Sequence, residues 1–189
     1  MSSRLSTAPA ALAPGEHLVQ SLHFEALFVR GLQVDAALAA DLRAAGFDLA
    51  QQQVRYPERV FKACVDAAHR RLYPGQREAE AHRELGRIFM RGFRTTLLGK
   101  VICAMLPLMG PVRLLGRMPE YLRLGDAVLT VKVETLGQCD YRLDCTHSGQ
   151  TLPYLVTGIV EEALLITSTT ATLEPRVLSP TRFELRVRW

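Results

Sequence analysis

The clearest pattern in the chain is at its C-terminal end, where Phe183, Leu185, Val187 and Trp189 alternate with Arg182, Glu184, Arg186 and Arg188. A period of two belongs to a strand with one face on a core and the other in water. The same period runs through Ala127, Leu129, Val131 and Val133. It resumes in Cys139, Tyr141, Leu143 and Cys145 after a turn at Leu136-Gly137-Gln138, so the pair predicts a hairpin. Thr169 to Val177 reads as a further strand, joined to the last by a turn at Ser179-Pro180. Between hairpin and closing strands, Leu155, Ile159 and Ala163 fall at helical spacing and predict a helix over Leu152 to Leu165.

The N-terminal part reads mostly as helix. Asp35 to Ala45 is a short helix with Asp35 as its N-cap and Gly46 as its stop. Pro57 suits the first turn of a helix to Leu72, which Tyr73-Pro74-Gly75 ends. Glu78 to Leu106 is the longest helical pattern, with Leu85, Ile88, Phe89, Ile102 and Leu106 near one stripe. Pro107 and Gly110-Pro111 close it, and a shorter helix from Val112 to Arg117 follows before Pro119. In His17 to Leu32 the alternation of Leu22, Phe24, Ala26 and Phe28 favours a strand over a helix. Helices followed by strands argue for an α+β fold: an N-terminal helical part packed on a C-terminal antiparallel sheet of hairpin, helix and two closing strands.

Composition narrows the function classes. Of 189 residues, 48% are hydrophobic and 22% charged, which supports one ordinary domain with a real core. Met1 to Glu16, rich in Ser, Ala and Pro, reads as a flexible leader, without the apolar run of a secretory signal, ahead of a single domain over 17–189. The net charge of +4 and an aromatic share of only 7% argue against a nucleic-acid binder. The apolar run Leu97 to Met109 is shorter than the ~20 residues of a transmembrane helix, so a cytoplasmic protein is expected. Cys64, Cys103, Cys139 and Cys145 contain no CxxC pair and do not form a disulfide framework.

No motif for nucleophilic, phosphate-binding or zinc-protease chemistry is present, and Glu161-Glu162 point ~100° apart on a helix, so no enzyme is expected. Cys139 and Cys145 on one strand would sit ~20 Å apart and cannot share a metal. Cys145 and His147 face the same way and could offer two zinc ligands, but read better as core residues, so no metal is expected. Arg83, Arg87, Arg91 and Arg94 form a basic stripe, either solvated or open to an acidic protein partner or an anionic surface. Thr95, Gly99 and Cys103 form a stripe of small residues that admits a close helix or an apolar ligand.

Leu27-Phe28-Val29-Arg30-Gly31-Leu32, Ala44-Ala45-Gly46-Phe47-Asp48-Leu49, Leu72-Tyr73-Pro74-Gly75, Leu85-Gly86-Arg87, Gly92-Phe93-Arg94-Thr95-Thr96-Leu97-Leu98-Gly99 and Arg186-Val187-Arg188-Trp189 carry a resemblance. From about His23 to Trp189 the chain resembles a paralogous family of uncharacterised myxobacterial proteins, which brings no catalytic residues with it. The order of elements, with Gly158-Ile159-Val160-Glu161-Glu162 on a helix before two closing strands, also resembles the vinyl-reductase-type (V4R) ligand-binding domains. These are similar in fold to haem–nitric-oxide domains and TRAPP subunits. That resemblance implies a bound apolar molecule, haem or acyl chain, and pairing through helices. It also implies zinc in those V4R-type domains that carry paired cysteines near the hairpin, a pattern missing here. The Tyr-x-Ser-x-Arg signature of the haem–nitric-oxide domains is not reproduced at Tyr121 or Tyr141, so no cofactor is expected.

The reading that results is a sensory or carrier domain with a small apolar ligand between the long helix and the sheet. Phe89, Phe93, Thr96, Gly99, Cys103 and Tyr141 are its expected ligand-binding residues. The alternative is a protein–protein interaction scaffold. A homodimer is expected because Leu97, Leu98, Val101, Ile102, Met105 and Leu106 wrap the helix on more than one face.

Overall fold

The computed structural model of the protein describes residues 17–124 and 128–189. The expected leader and Ala127 lie outside the described residues. The architecture is α+β, with helices leading and a four-stranded antiparallel sheet closing the chain.

The sheet is built of β3 (Leu129–Gly137), β4 (Asp140–His147), β5 (Thr172–Ser179) and β6 (Arg182–Arg188) in the order β3-β4-β6-β5. The last strand is therefore internal, hydrogen-bonded on both sides. Its alternation is used as written: Phe183, Leu185 and Val187 are fully buried. Their polar neighbours form ion pairs on the outer face, Arg182 with Asp144 at 2.8 Å and Arg186 with Asp140 at 2.6 Å. Trp189 stacks in parallel on Tyr141, with ring centroids 5.3 Å apart. The inner face packs on α6 (Pro153–Ile166) and on α5 (Leu97–Arg123).

The helical part opens with a short strand pair, β1 (Leu18–Gln20) with β2 (Arg55–Pro57). After β1 the chain turns into α1 (Ser21–Phe24) and a π-helical turn, Glu25–Gly31, where a strand was expected. Phe24, Ala26, Leu27 and Phe28 are all buried, which an alternating strand would not allow. α2 (Ala36–Ala44) is capped by Asp35, whose carboxylate accepts from the Leu38 N–H at 2.7 Å. α3 (Glu58–Leu72) follows β2 directly. Phe24, Phe28, Phe47, Tyr56 and Phe61 form the aromatic heart of this half, with Phe24 and Tyr56 centroids 4.4 Å apart.

The expected single helix from Glu78 to Leu106 is two helices, α4 (Glu78–Phe93) and α5. Thr96 separates them. Its hydroxyl donates to the Phe93 carbonyl at 2.8 Å and accepts from the Gly99 N–H at 3.0 Å, capping α5. α5 then runs past Pro107 to Arg123, bent at Gly110, which has φ 71° and ψ 172°. That conformation is essentially reserved for glycine, so the expected break there is a kink between two arms, 97–109 and 111–123.

α4 and α6 cross at their glycines. A Cβ on Gly86 would overlap the Leu155 carbonyl, and one on Gly158 would overlap the Arg83 carbonyl. This close approach joins the two halves, and Phe93 and Ile159 pack against both cores.

Candidate functional site

The bend in α5 shapes a cavity. The arm before Gly110 contributes Ile102 and Leu106, and the arm after it contributes Leu114, Met118, Tyr121 and Leu122. α4 closes it with Phe89, Met90 and Phe93, α6 with Ile159 and Ala163, and α1 with Leu22 and His23. The space measures about 90 Å³. Its lining comes from the helices and Leu124 at the end of α5, and Met90, Leu106, Leu114, Met118 and Ala163 belong to the core that the sheet shares. The His23 ring packs edge-on to Phe61 at 5.3 Å and tilted to Phe89 at 5.5 Å. The Tyr121 hydroxyl meets Met109 Sδ at 3.8 Å. A wall this largely apolar favours an apolar guest.

Of the expected ligand-binding residues, Phe89 and Phe93 line this cavity. The other four are placed elsewhere by their own contacts. Thr96 is the α5 cap, and a Cβ on Gly99 would overlap the Phe93 carbonyl, so both serve the α4–α5 turn. Cys103 packs in the core beneath α5, where burial raises its thiol pKa. Tyr141 lies on the sheet under Trp189. Thr95 precedes α5, so the small-residue stripe does not share one helix face. The sequence did not point to His23, Met118 or Leu122: Met118 and Leu122 reach the cavity because α5 bends at Gly110, and His23 because α1 replaces the expected strand.

A second space of about 70 Å³ shares His23, Leu122 and Ile159 with the first. Polar groups gather at its edge. Glu58 is buried, ion-paired with Lys62, and 3.9 Å from His147. His147 Nδ1 accepts from the Gly149 N–H at 2.8 Å. Cys145 is fully buried, and desolvation pushes its thiol up to about 12. Among the described residues no three His, Cys, Asp or Glu side chains converge on one point that could hold a metal.

Three arginines of the stripe, Arg83, Arg87 and Arg91, pair with carboxylates of α6, while Arg94 at the end of α4 is exposed. Arg83 donates to Glu161 at 2.9 Å, Arg87 to Glu161 at 2.9 Å and Arg91 to Glu162 at 3.2 Å. These pairs flank the Gly86–Gly158 crossing. Burial alone would raise the Glu161 carboxyl, but hydrogen bonds from Arg83 and Arg87 outweigh it and hold the pKa below the usual value. Glu161 and Glu162 are the partly buried acceptors of that stripe. On α4 His82 is buried, and desolvation lowers its pKa although Glu78 and Asp66 at 3.7 and 3.8 Å pull the other way.

The architecture is that of the H-NOX domains. Solved structures similar to it include a protein studied for modulation of haem redox potential through porphyrin distortion. That protein is 13% identical, with a TM-score of 0.67 over 90% of this chain and 99% of its own. An H-NOX structure bearing on the mechanism of activation matches with 13% identity and a TM-score of 0.66, over 91% of this chain and 96% of its own. An oxygen-binding H-NOX domain related to soluble guanylate cyclases matches with 14% identity and a TM-score of 0.63, over 89% of this chain and 91% of its own. At these identities the likeness is one of fold. By sequence the chain belongs to the DUF2378 family, described as proteins of unknown function, which matches residues 17–189. No curated protein matches the sequence. The structural neighbours are H-NOX domains, where the sequence resemblance gave V4R-type and TRAPP relatives as well.

Haem is the group this fold family implies, and the residues present do not fit it. The cavity is about 90 Å³, against the ~300–1,000 Å³ of sites for ligands of that size. Among the described residues His23 and Tyr121 are the titratable groups on its wall, and no Arg or Lys lines it to meet a propionate. Phe89, Phe93, Met90 and Met118 fill the region with their own side chains.

Proposed function

We propose that this chain is a non-catalytic sensory or carrier domain whose ligand is a small apolar molecule held between α1, α4, α5 and α6. The observation that supports it is the kinked α5. Both its arms turn apolar side chains into one partly open pocket that the rest of the core leaves unfilled. An empty apolar cavity costs stability, about 24 cal/mol per Å³ in core-truncation series, so a guest that fills it stabilises the fold. At about 90 Å³ the space is smaller than the ~150 Å³ cavity that accommodates benzene, so it selects a compact guest no larger than a benzene ring. His23 and Tyr121 at the wall add room for one polar atom on such a ring.

Methyl NMR tests the reading directly, because Met90 and Met118 both line the space. Titration with benzene, indole and xenon is expected to shift these two methyl signals selectively and to raise the melting temperature. Ala163→Leu, which adds volume at the wall, is expected to abolish the shifts. Unmoved Met90 and Met118 methyls with all three probes would favour the alternative, an interaction scaffold with a closed interior.

A further inference from the structure

The outer face of α5 is the part of the molecule that the fold leaves unaccounted for. Leu97, Leu98, Val101, Met105 and Leu108 are exposed, at 86%, 41%, 62%, 56% and 85% respectively, while Gly99, Cys103 and Leu106 on the opposite side are buried. The first arm is thus apolar on its outer as well as its inner side, and a helix apolar on more than one side is buried on more than one side. At helical spacing the exposed side chains form one stripe, with Lys100 on its border. Beyond Gly110 the exposed positions change character to Arg113, Arg117 and Arg123. From Arg94 to Leu124 the chain carries five cations and one carboxylate, Glu120, which pairs with Arg117 at 3.1 Å.

We infer that this face seats the protein on an anionic lipid surface, with the apolar stripe of the first arm in the headgroup–acyl boundary and the cations against lipid phosphates. An apolar helix face bordered by Lys and Arg is the composition of an interfacial helix. Among the described residues α5 is the one helix long and apolar enough to cross a bilayer. Its backbone leaves the helix at Gly110, however, and each arm is far shorter than the ~20 residues a crossing needs. Its inner side is also committed to the core through Cys103, Leu106, Leu114, Leu115 and Met118. It can therefore lie in a membrane surface and cannot span one without unfolding the domain. A second copy of the chain fits less well. Twofold pairing brings two like surfaces together, and here each carries the same excess of cations with one carboxylate to offset them.

Flotation of the full chain with equimolar phosphatidylcholine–phosphatidylglycerol vesicles, against pure phosphatidylcholine, is the test. Binding to the anionic vesicles is expected, weakened by added salt. Val101→Glu with Met105→Glu changes two exposed positions and is expected to reduce binding at least about tenfold while the far-UV circular dichroism stays unchanged. Lys100→Gln with Arg113→Gln is expected to reduce it by more than about tenfold on anionic vesicles only, at about fivefold per cation. Equal binding to both vesicle types would overturn the inference. So would a protein that ignores vesicles, whether as a monomer or as a dimer that the double glutamate variant dissociates, the latter making a second copy the occupant.

Discussion

Glu161 takes hydrogen bonds from two guanidinium groups of another helix, so this single carboxylate accounts for the pairing of Arg83 and Arg87, one turn apart on α4. Its side chain is 18% exposed, so the charge-assisted hydrogen bonds are only partly screened. Glu161→Gln is expected to destabilise the fold by about 1–3 kcal/mol at neutral pH, measured by chemical denaturation. The folded pKa of Glu161 lies below its unfolded value. Its contribution is therefore complete above about pH 4.5 and lost as pH falls through the depressed value, so variant and parent converge in acid. Buried His82 acts in a higher window. Its folded pKa is depressed by burial, so protons bind preferentially to the unfolded chain, and stability falls as pH drops below about 6.5 in both proteins alike. The difference between the two proteins isolates Glu161, and a gap unchanged down to pH 3 would contradict the assigned role. None of this was legible in the sequence. The arginine spacing is visible there, as is the local acceptor Glu84, but Glu161 and Glu162 lie more than 70 residues further on, and only the crossing of α4 and α6 brings them together.

The elements differ in how much local sequence decides them. β6 alternates without exception, so its faces are fixed before tertiary structure is known, and its central position in the sheet agrees with that. Phe183→Ala is expected to cost about 3–5 kcal/mol, because β6 is internal and the ring is fully buried in the core under the sheet. A loss under 1 kcal/mol in urea denaturation would mean that this face is not core. The segment from Leu22 to Phe28 alternates too, but Leu27 between Ala26 and Phe28 is equally buried. A short run apolar at adjacent positions has no period, and tertiary packing chose a π-helical turn. There Gly31 and Gly92 let backbone meet backbone, since a Cβ on Gly92 would overlap the Ala26 carbonyl. The break between α4 and α5 did leave a signal, Thr96 with its N-cap chemistry, hidden inside a long apolar periodicity. The cavity was half legible for a related reason. Phe89 and Phe93 belong to the visible stripe of α4, whereas the opposite wall depends on the turn at Gly110.

For the molecule as a whole the question is whether its two hydrophobic cores behave as one. The aromatic core of the helical half and the sheet core are separate clusters, with Phe93 and Ile159 packed against each. What holds them together is the α4–α6 crossing, where Gly86 and Gly158 leave no space for a side chain and the arginine–glutamate pairs close the flank. Such a joint is stiff: it cannot open by a fraction of an ångström without losing backbone packing and ion pairs at once. The protein is therefore expected to unfold in one cooperative step. The single tryptophan makes the test clean. Trp189 stacks on Tyr141 in the sheet and reports that half by fluorescence. Far-UV circular dichroism at 222 nm is dominated by the helices, most of which precede the sheet. The two signals are expected to trace one urea transition in the parent protein. Gly86→Ala places a methyl where the Leu155 carbonyl stands, so it strikes the joint without touching either core. An overpacked contact of this kind costs about 1–3 kcal/mol. In this variant the fluorescence and dichroism midpoints are expected to separate as the halves lose their common fate. Coincident transitions at an unchanged midpoint would show that the crossing is not what couples them.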